Sequence, residues 1–309
     1  MKSLSVTANN LVRSPAARRW LQILAGVLIV LFFGLALYSQ LPQILKYSWK
    51  LNPAYLALAF ALLLVRGPVV VYGWWATMRV LGYPLPFPTS IRIGYHSALA
   101  RYIPGQMWYA VSRVYLAEKQ GVPRVITALS IGIETALLVV GAGIVASLSL
   151  LTWHDAPIWL GVAVVALLVG LVLQPRLVFK GLNWGLARLK RNRIEAEISR
   201  GDMVRLLWPF VVNWLHYGVM SFVLTASLYP ALPWSQLPSV TGLFTAAWLI
   251  GFLAIVVPQG FFIREGLVFT FLTTLLGVPA PVATASAVLS RAWTMLGEAI
   301  WAGISTRFK

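Results

Sequence analysis

Val257-Pro258-Gln259-Gly260-Phe261-Phe262-Ile263-Arg264-Glu265-Gly266 is the stretch that decides how the rest of the chain is read. A proline, two glycines and an adjacent Arg-Glu pair interrupt runs too apolar for water. Freed backbone groups and charged side chains are both costly at membrane depth, and they persist there only where they are buried in protein or line a polar cavity. The expectation is a helical membrane protein in which this segment lines a site.

The composition agrees. The 309 residues are 59% hydrophobic and 11% charged, against roughly 25% charged in soluble domains, and the mean hydropathy is +0.79. The fold class expected is an all-α integral membrane protein, a polytopic helical bundle forming one transmembrane domain over 1–309. Zero cysteines exclude disulfides, thiol nucleophiles and cysteine metal sites. The formal net charge of +17 does not call for nucleic acid, because Lys and Arg cluster between apolar runs as a topology signal. Arg13, Arg18 and Arg19 precede the first run, a dense basic loop occupies 174–205, and Arg307 and Lys309 close the chain. Those regions should face the cytoplasm and its anionic head groups, with both termini inside.

Taken in order, the apolar runs give full spans over 20–40, roughly 53–80, 125–152, 158–173, 206–228, 238–257 and 282–304, the first read as a retained span and not a cleaved signal. Two further regions, 82–124 and 257–276, are too short or too polar between breaks to cross about 30 Å of hydrocarbon, and are expected to be re-entrant or broken helix pairs. Gly121-Val122-Pro123 and Gly277-Val278-Pro279 each follow a Pro/Gly break and each open a long span. With a basic flank on the first copy only, the halves, about 53–152 and 206–304, read as inverted-topology repeats, the plan of transporters whose site lies where broken helices meet.

Three of the eight acidic residues, Glu134, Glu265 and Glu298, fall at membrane depth, with Arg66, Arg101, Arg113, Arg264 and Arg291 as candidate partners. Adjacent residues do not share a helix face, so Arg264 and Glu265 should find different partners. Two readings are open: ion pairs that staple irregular backbone, or arginines and exposed amides beside Pro104 and Pro258 that bind an anionic head group, with the glutamates positioning them or carrying a proton. Gly105 and Gly260 belong to the two breaks, Trp108 and Tyr109 are candidates for lining a head-group pocket, and His96 is a weaker candidate beside it. The many other Trp and Tyr residues read as interfacial anchors. No metalloprotease, nucleophile-elbow or P-loop pattern occurs, so no catalytic residue, metal or cofactor is expected.

Arg101-Tyr102-Ile103-Pro104-Gly105-Gln106-Met107-Trp108 with Arg113, followed by Gly121-Val122 and Glu134, resembles the first signature of the transmembrane, flippase-like region of lysylphosphatidylglycerol synthase proteins. Pro258 to Gly266 is similar to that region's second signature, with Gln259 and Phe262 standing where glycines are usual. No aminoacyl-transferase domain accompanies the resemblance here, so what it implies is a flippase in a prokaryotic-type plasma membrane that moves lipid without aminoacylating it. Its cargo would be an anionic or aminoacylated phospholipid or a polyprenyl-phosphate-linked lipid, bound by Arg101, Arg113, Arg264 and Arg291. The alternatives are a non-transporting accessory or scaffold for a lipid or glycan enzyme, and a membrane transferase, which the short external loops disfavour. Self-association or a membrane enzyme partner is compatible with either.

Overall fold

Asn52 accepts the amide hydrogens of Ala54 and Tyr55 on its side-chain oxygen at 3.1 and 3.2 Å, and Pro53 supplies a preset first helical turn. The result is a 28-residue helix, α1 (Pro53–Val80). The computed structural model describes residues 38, 41–102, 107–149, 158–174, 180, 184, 188, 198–254, 260 and 262–308. The chain divides into two compact units, Met1–Ser48 and Trp49–Lys309, and the helices that follow all belong to the second. The expected first span, 20–40, lies almost wholly outside the described residues, as does most of the basic loop.

After α1 come α2 (Phe87–Leu99), which runs into a 3-10 turn at Ala100–Tyr102, then α3 (Trp108–Glu118), α4 (Arg124–Ser149) and α5 (Ile158–Val172). The second half holds α6 (Arg200–Leu228), a 3-10 turn at Trp234–Gln236, α7 (Leu237–Leu253), α8 (Ile263–Thr274) and α9 (Ala280–Ser305). Among the described residues no strand occurs, so the fold is an all-α bundle. Helix α6 starts six residues before the expected 206, because Ser199 accepts the amide of Asp202 and caps it. Basic residues of its first turns had the look of loop.

Among the described residues, four helices are long and apolar enough to cross a membrane: Pro53–Val80, Arg124–Ser149, Arg200–Leu228 and Trp234–Leu253. The protein is therefore membrane-embedded. Of the seven full spans expected, the one over 20–40 lies outside the described residues, and those over 158–173 and 282–304 fall short of a full apolar span. Helix α5 has 15 residues, short of the roughly 20 a straight span needs, and α9 has 26 but is diluted by serines, threonines, Arg291 and Glu298.

Helix lengths repeat between the halves. In α1 to α4 helices of 28 and 26 residues enclose two of 13 and 11, and in α6 to α9 helices of 29 and 26 enclose two of 17 and 12, the first of which reaches spanning length with its leading turn. Contacts between halves are matched as well: α1 packs on α6, α4 on α7, and α9 on α2. Helix α6 lies at the centre of the bundle, with 17 of its 29 residues buried against α1, α4, α7 and α9. Small residues allow the closest of these crossings, as membrane helices without a hydrophobic drive between them require; a Cβ on Gly242 of α7 would run into the side chain of Ser149 on α4.

Pro68 inside α1 lacks an amide hydrogen, which leaves the Leu64 carbonyl one turn back without its helical partner. Trp301 Nε1 on α9 donates to that carbonyl at 2.9 Å, and Trp293 Nε1 donates to the Ala59 carbonyl at 3.2 Å. Trp74 and Trp214 likewise reach Ser130 Oγ and the Leu138 carbonyl on α4. These four tryptophans bolt helices together, a role the interfacial-anchor reading did not give them. Trp301→Phe keeps most of the ring and orphans a carbonyl in an apolar setting, so it should lower unfolding stability in detergent by about 1–3 kcal/mol. An unchanged unfolding midpoint would show that Leu64 needs no such partner.

Candidate functional site

Helix α1 carries Arg66 just before its Gly67-Pro68 break, and α8 carries Arg264 in its first turn. The two guanidinium groups lie against one ring on α6. Arg66 Cζ is 5.2 Å from the Tyr217 ring centroid and Arg264 Cζ is 5.7 Å from it. Arg264 Nη2 donates to the Tyr217 hydroxyl at 2.6 Å and to Ser290 Oγ of α9 at 3.4 Å. Neither arginine meets a carboxylate among the described residues, and the Nε of each is buried with no hydrogen-bond partner.

The other three membrane-depth arginines are neutralised. Arg113 of α3 pairs with Glu134 of α4, donates from Nε to Ser97 Oγ at 3.2 Å, and lies 4.8 Å from the Trp74 ring and 4.6 Å from the Tyr109 ring. Arg291 of α9 pairs with Glu265 of α8 at 2.7 Å. The short third helix of each half is thus stapled to the long fourth by one Arg-Glu pair, with the charges exchanged between halves. Arg101, at the end of α2, pairs across the halves with Glu298 of α9 at 3.2 Å, and Tyr102 donates its hydroxyl to the other Glu298 oxygen at 2.9 Å. Tyr109 lies between Arg101 and Arg113, 5.1 and 4.6 Å from them. The carboxylate acting on Arg66 from a distance is Glu298, already engaged by Arg101 and Tyr102.

No family model matches the chain, and no curated protein matches it.

Five arginines therefore meet three carboxylates, and the excess positive charge sits on Arg66 and Arg264 around Tyr217. Two like charges held against one ring without a carboxylate between them are uncompensated, and an anion is the group that relieves both. Guanidinium is suited to it, since its planar fork of donors matches phosphate oxygens in pairs.

The structure thus joins Arg66, Arg101, Tyr109, Arg113, Glu134, Arg264, Glu265, Arg291 and Glu298 in linked clusters, and Arg264 and Glu265 take separate partners as adjacency on a helix demands. Other candidates fall elsewhere. His96 Nε2 lies 3.3 Å from the Ala302 carbonyl, and the residue lines a separate hollow with Arg92 and Lys119. Trp108 is 47% exposed at the start of α3. Pro104, Gly105 and Pro258 lie outside the described residues. Gly260 has a packing role: with φ +60° it abuts the backbone of Gly251 on α7, where a Cβ would come 2.5 Å from the carbonyl oxygen. No group of three His, Asp or Glu side chains suited to a metal occurs among the described residues.

The break itself is strained at Phe262, which has φ +71°, a conformation that favours glycine. It is held there because Glu265, three residues on, accepts the Phe262 amide hydrogen at 2.7 Å and so caps α8 while also pairing with Arg291. The helix consequently begins at Ile263, four residues earlier than the expected 267. Since alanine retains the Cβ and loses the ring, Phe262→Gly should be more stable than Phe262→Ala by about 1 kcal/mol; equal stabilities would show that the positive φ is relaxed in solution.

Sequence reasoning missed Tyr217, Ser290, Asn213 and His216. Asn213, His216 and Tyr217 stand at i, i+3 and i+4 on α6, one helix face, and the Asn213 Oδ1 and both His216 ring nitrogens are buried without partners. A polar stripe in an apolar helix is the signal the sequence offers for this face.

Proposed function

We propose that this protein moves an anionic lipid between leaflets, with Arg66 and Arg264 binding its phosphate across Tyr217. The observation that carries the reading is that these two membrane-depth arginines meet no carboxylate among the described residues and keep unsatisfied Nε donors. The recurrent helix order and the matched contacts between halves support a transporter built of inverted repeats, in which one half rocks on the other around a fixed midplane site. The Arg113-Glu134 and Arg291-Glu265 pairs then keep each half rigid, while Arg101-Glu298 and Tyr102-Glu298 are bonds between halves that a rocking motion would exchange. The likeness of Arg101–Trp108 and Pro258–Gly266 to the signatures of the lysylphosphatidylglycerol synthase flippase-like region points the same way, and a plasma-membrane location with cytoplasmic termini belongs to the same reading.

A non-transporting scaffold is the second reading. Three of the five arginines are neutralised inside the fold, which is all that a scaffold requires. Arg66 is the residue it leaves without a purpose, since a partly buried cation with no carboxylate among the described residues only weakens a structural protein.

Reconstitution decides between them. In liposomes with acyl-labelled phosphatidylglycerol, a membrane-impermeant reductant should quench inner-leaflet label faster when the protein is present. A rate equal to that of protein-free vesicles would rule out translocation of this lipid and favour the scaffold.

A further inference from the structure

Resting on the reading that Arg66 and Arg264 hold a phosphate, we infer that the cargo headgroup is neutral beyond that phosphate and bears hydroxyls, of the phosphoglycerol or sugar-phosphate kind, and that amino and aminoacyl headgroups are rejected. Two sets of observations carry this.

The first is the absence of a free receptor for an ammonium among the described residues. Glu134 is taken by Arg113, Glu265 by Arg291 and the Phe262 amide, and Glu298 by Arg101 and Tyr102. The two remaining described acids are equally committed, Glu118 to Arg124 at 2.7 Å and Asp202 to Ser199 at 2.7 Å. Aromatic faces are the other cradle for an ammonium, and those at the site already carry guanidinium groups: Tyr217 those of Arg66 and Arg264, Tyr109 those of Arg101 and Arg113, and Trp74 that of Arg113. An ammonium beside the phosphate would meet the uncompensated charge of Arg66 and Arg264 with nothing to offset the repulsion.

The second is a set of polar atoms left without hydrogen-bond partners on the stretches of α6 and α9 that carry Tyr217 and Ser290. Asn213 is 4% exposed and its Oδ1 accepts no hydrogen bond; His216, which lies within electrostatic reach of Arg66, has neither ring nitrogen engaged. On α9, Ser286 is fully buried with its Oγ unpartnered, one turn from the Ser290 that bonds Arg264. Buried polar groups are nearly always satisfied, and each exception calls for an explanation. A hydroxyl both donates and accepts, so a polyol next to the phosphate is the chemistry that supplies the donor Asn213 Oδ1 lacks and the partner His216 lacks.

The test is a headgroup panel in one liposome assay, using acyl-labelled phosphatidylglycerol, phosphatidylinositol, lysylphosphatidylglycerol and phosphatidylethanolamine with the full chain. Phosphatidylglycerol and phosphatidylinositol should move at least tenfold faster than the two amine-bearing lipids; the faster of the first pair tells the phosphoglycerol from the sugar-phosphate source. Lysylphosphatidylglycerol moving as fast as phosphatidylglycerol would overturn the inference and leave the transport reading intact, whereas no movement of any lipid would overturn both. Asn213→Asp places a carboxylate on the same face and should narrow the gap between lysylphosphatidylglycerol and phosphatidylglycerol; an unaltered gap in a folded Asn213→Asp protein would show that this face does not meet the headgroup.

Discussion

Arg66→Met is expected to slow lipid translocation at least tenfold while leaving the protein as stable as the wild type or more so. Arg66 makes no ion pair among the described residues, its Nε has no hydrogen-bond partner, and its guanidinium lies against the Tyr217 ring. A methionine of similar length keeps the apolar packing of the stem and removes an uncompensated charge, a change that is commonly neutral or stabilising. Loss of charge-assisted hydrogen bonds to a phosphate, about 1.5–3 kcal/mol, corresponds to roughly a 10- to 150-fold weaker hold. Thermal unfolding in detergent and translocation in liposomes, run on the same preparation, separate the two effects. A stable variant with wild-type translocation would remove Arg66 from the mechanism. Arg264→Ala is a less clean probe, because Arg264 also bonds Tyr217 and Ser290 and its loss disturbs the junction of α6, α8 and α9.

Glu134→Ala should be the most destabilising of these single changes, by about 3–5 kcal/mol, because it strands the Arg113 charge in the bundle. Arg113 is 5% exposed and Glu134 7% exposed, so water cannot take over the lost partner. Replacing both residues with leucine should recover most of that stability, since the two charges leave together and their desolvation penalty goes with them. If Glu134→Ala unfolds at the wild-type midpoint, the pair is not a staple between α3 and α4. If the double variant is as unstable as Glu134→Ala, packing around Ser97, Trp74 and Tyr109 matters more than charge.

Some of this was legible in the residues. The run from Pro53 to Val80 announces its own ends, through Asn52 and Pro53 at the start and the Leu81-Gly82 turn at the finish, and the helix matches the expected 53–80. The separation of Arg264 from Glu265 followed from helix geometry alone. Other features depend on contacts distant in sequence. Tyr217 carries no charge and stands in an ordinary apolar run; its importance comes from Arg66, 151 positions earlier, and Arg264, 47 later. Which arginines would be neutralised was equally unreadable, because Arg101 meets Glu298 only once α2 packs on α9. The start of α8 was misplaced for a local reason: Phe262 is a poor capping type, and the cap comes from Glu265 reaching back to its amide.

These geometries reorder the candidates. Arg66 stood behind Arg101, Arg113 and Arg291 on sequence grounds, yet those three are paired and Arg66 is not. On the proposed reading, two arginines that meet no carboxylate among the described residues, flanked by arginines held in ion pairs, would confine the attraction for a phosphate to one place, and exchange of the bonds between halves at Glu298 would release it.

The most direct test is an experimental structure in a bilayer of phosphatidylglycerol. Phosphate density bridging the Arg66 and Arg264 guanidinium groups beside Tyr217, with a headgroup hydroxyl against Asn213, is the predicted result. Density that places a carboxylate of this chain between the two arginines, with no phosphate there, would contradict it.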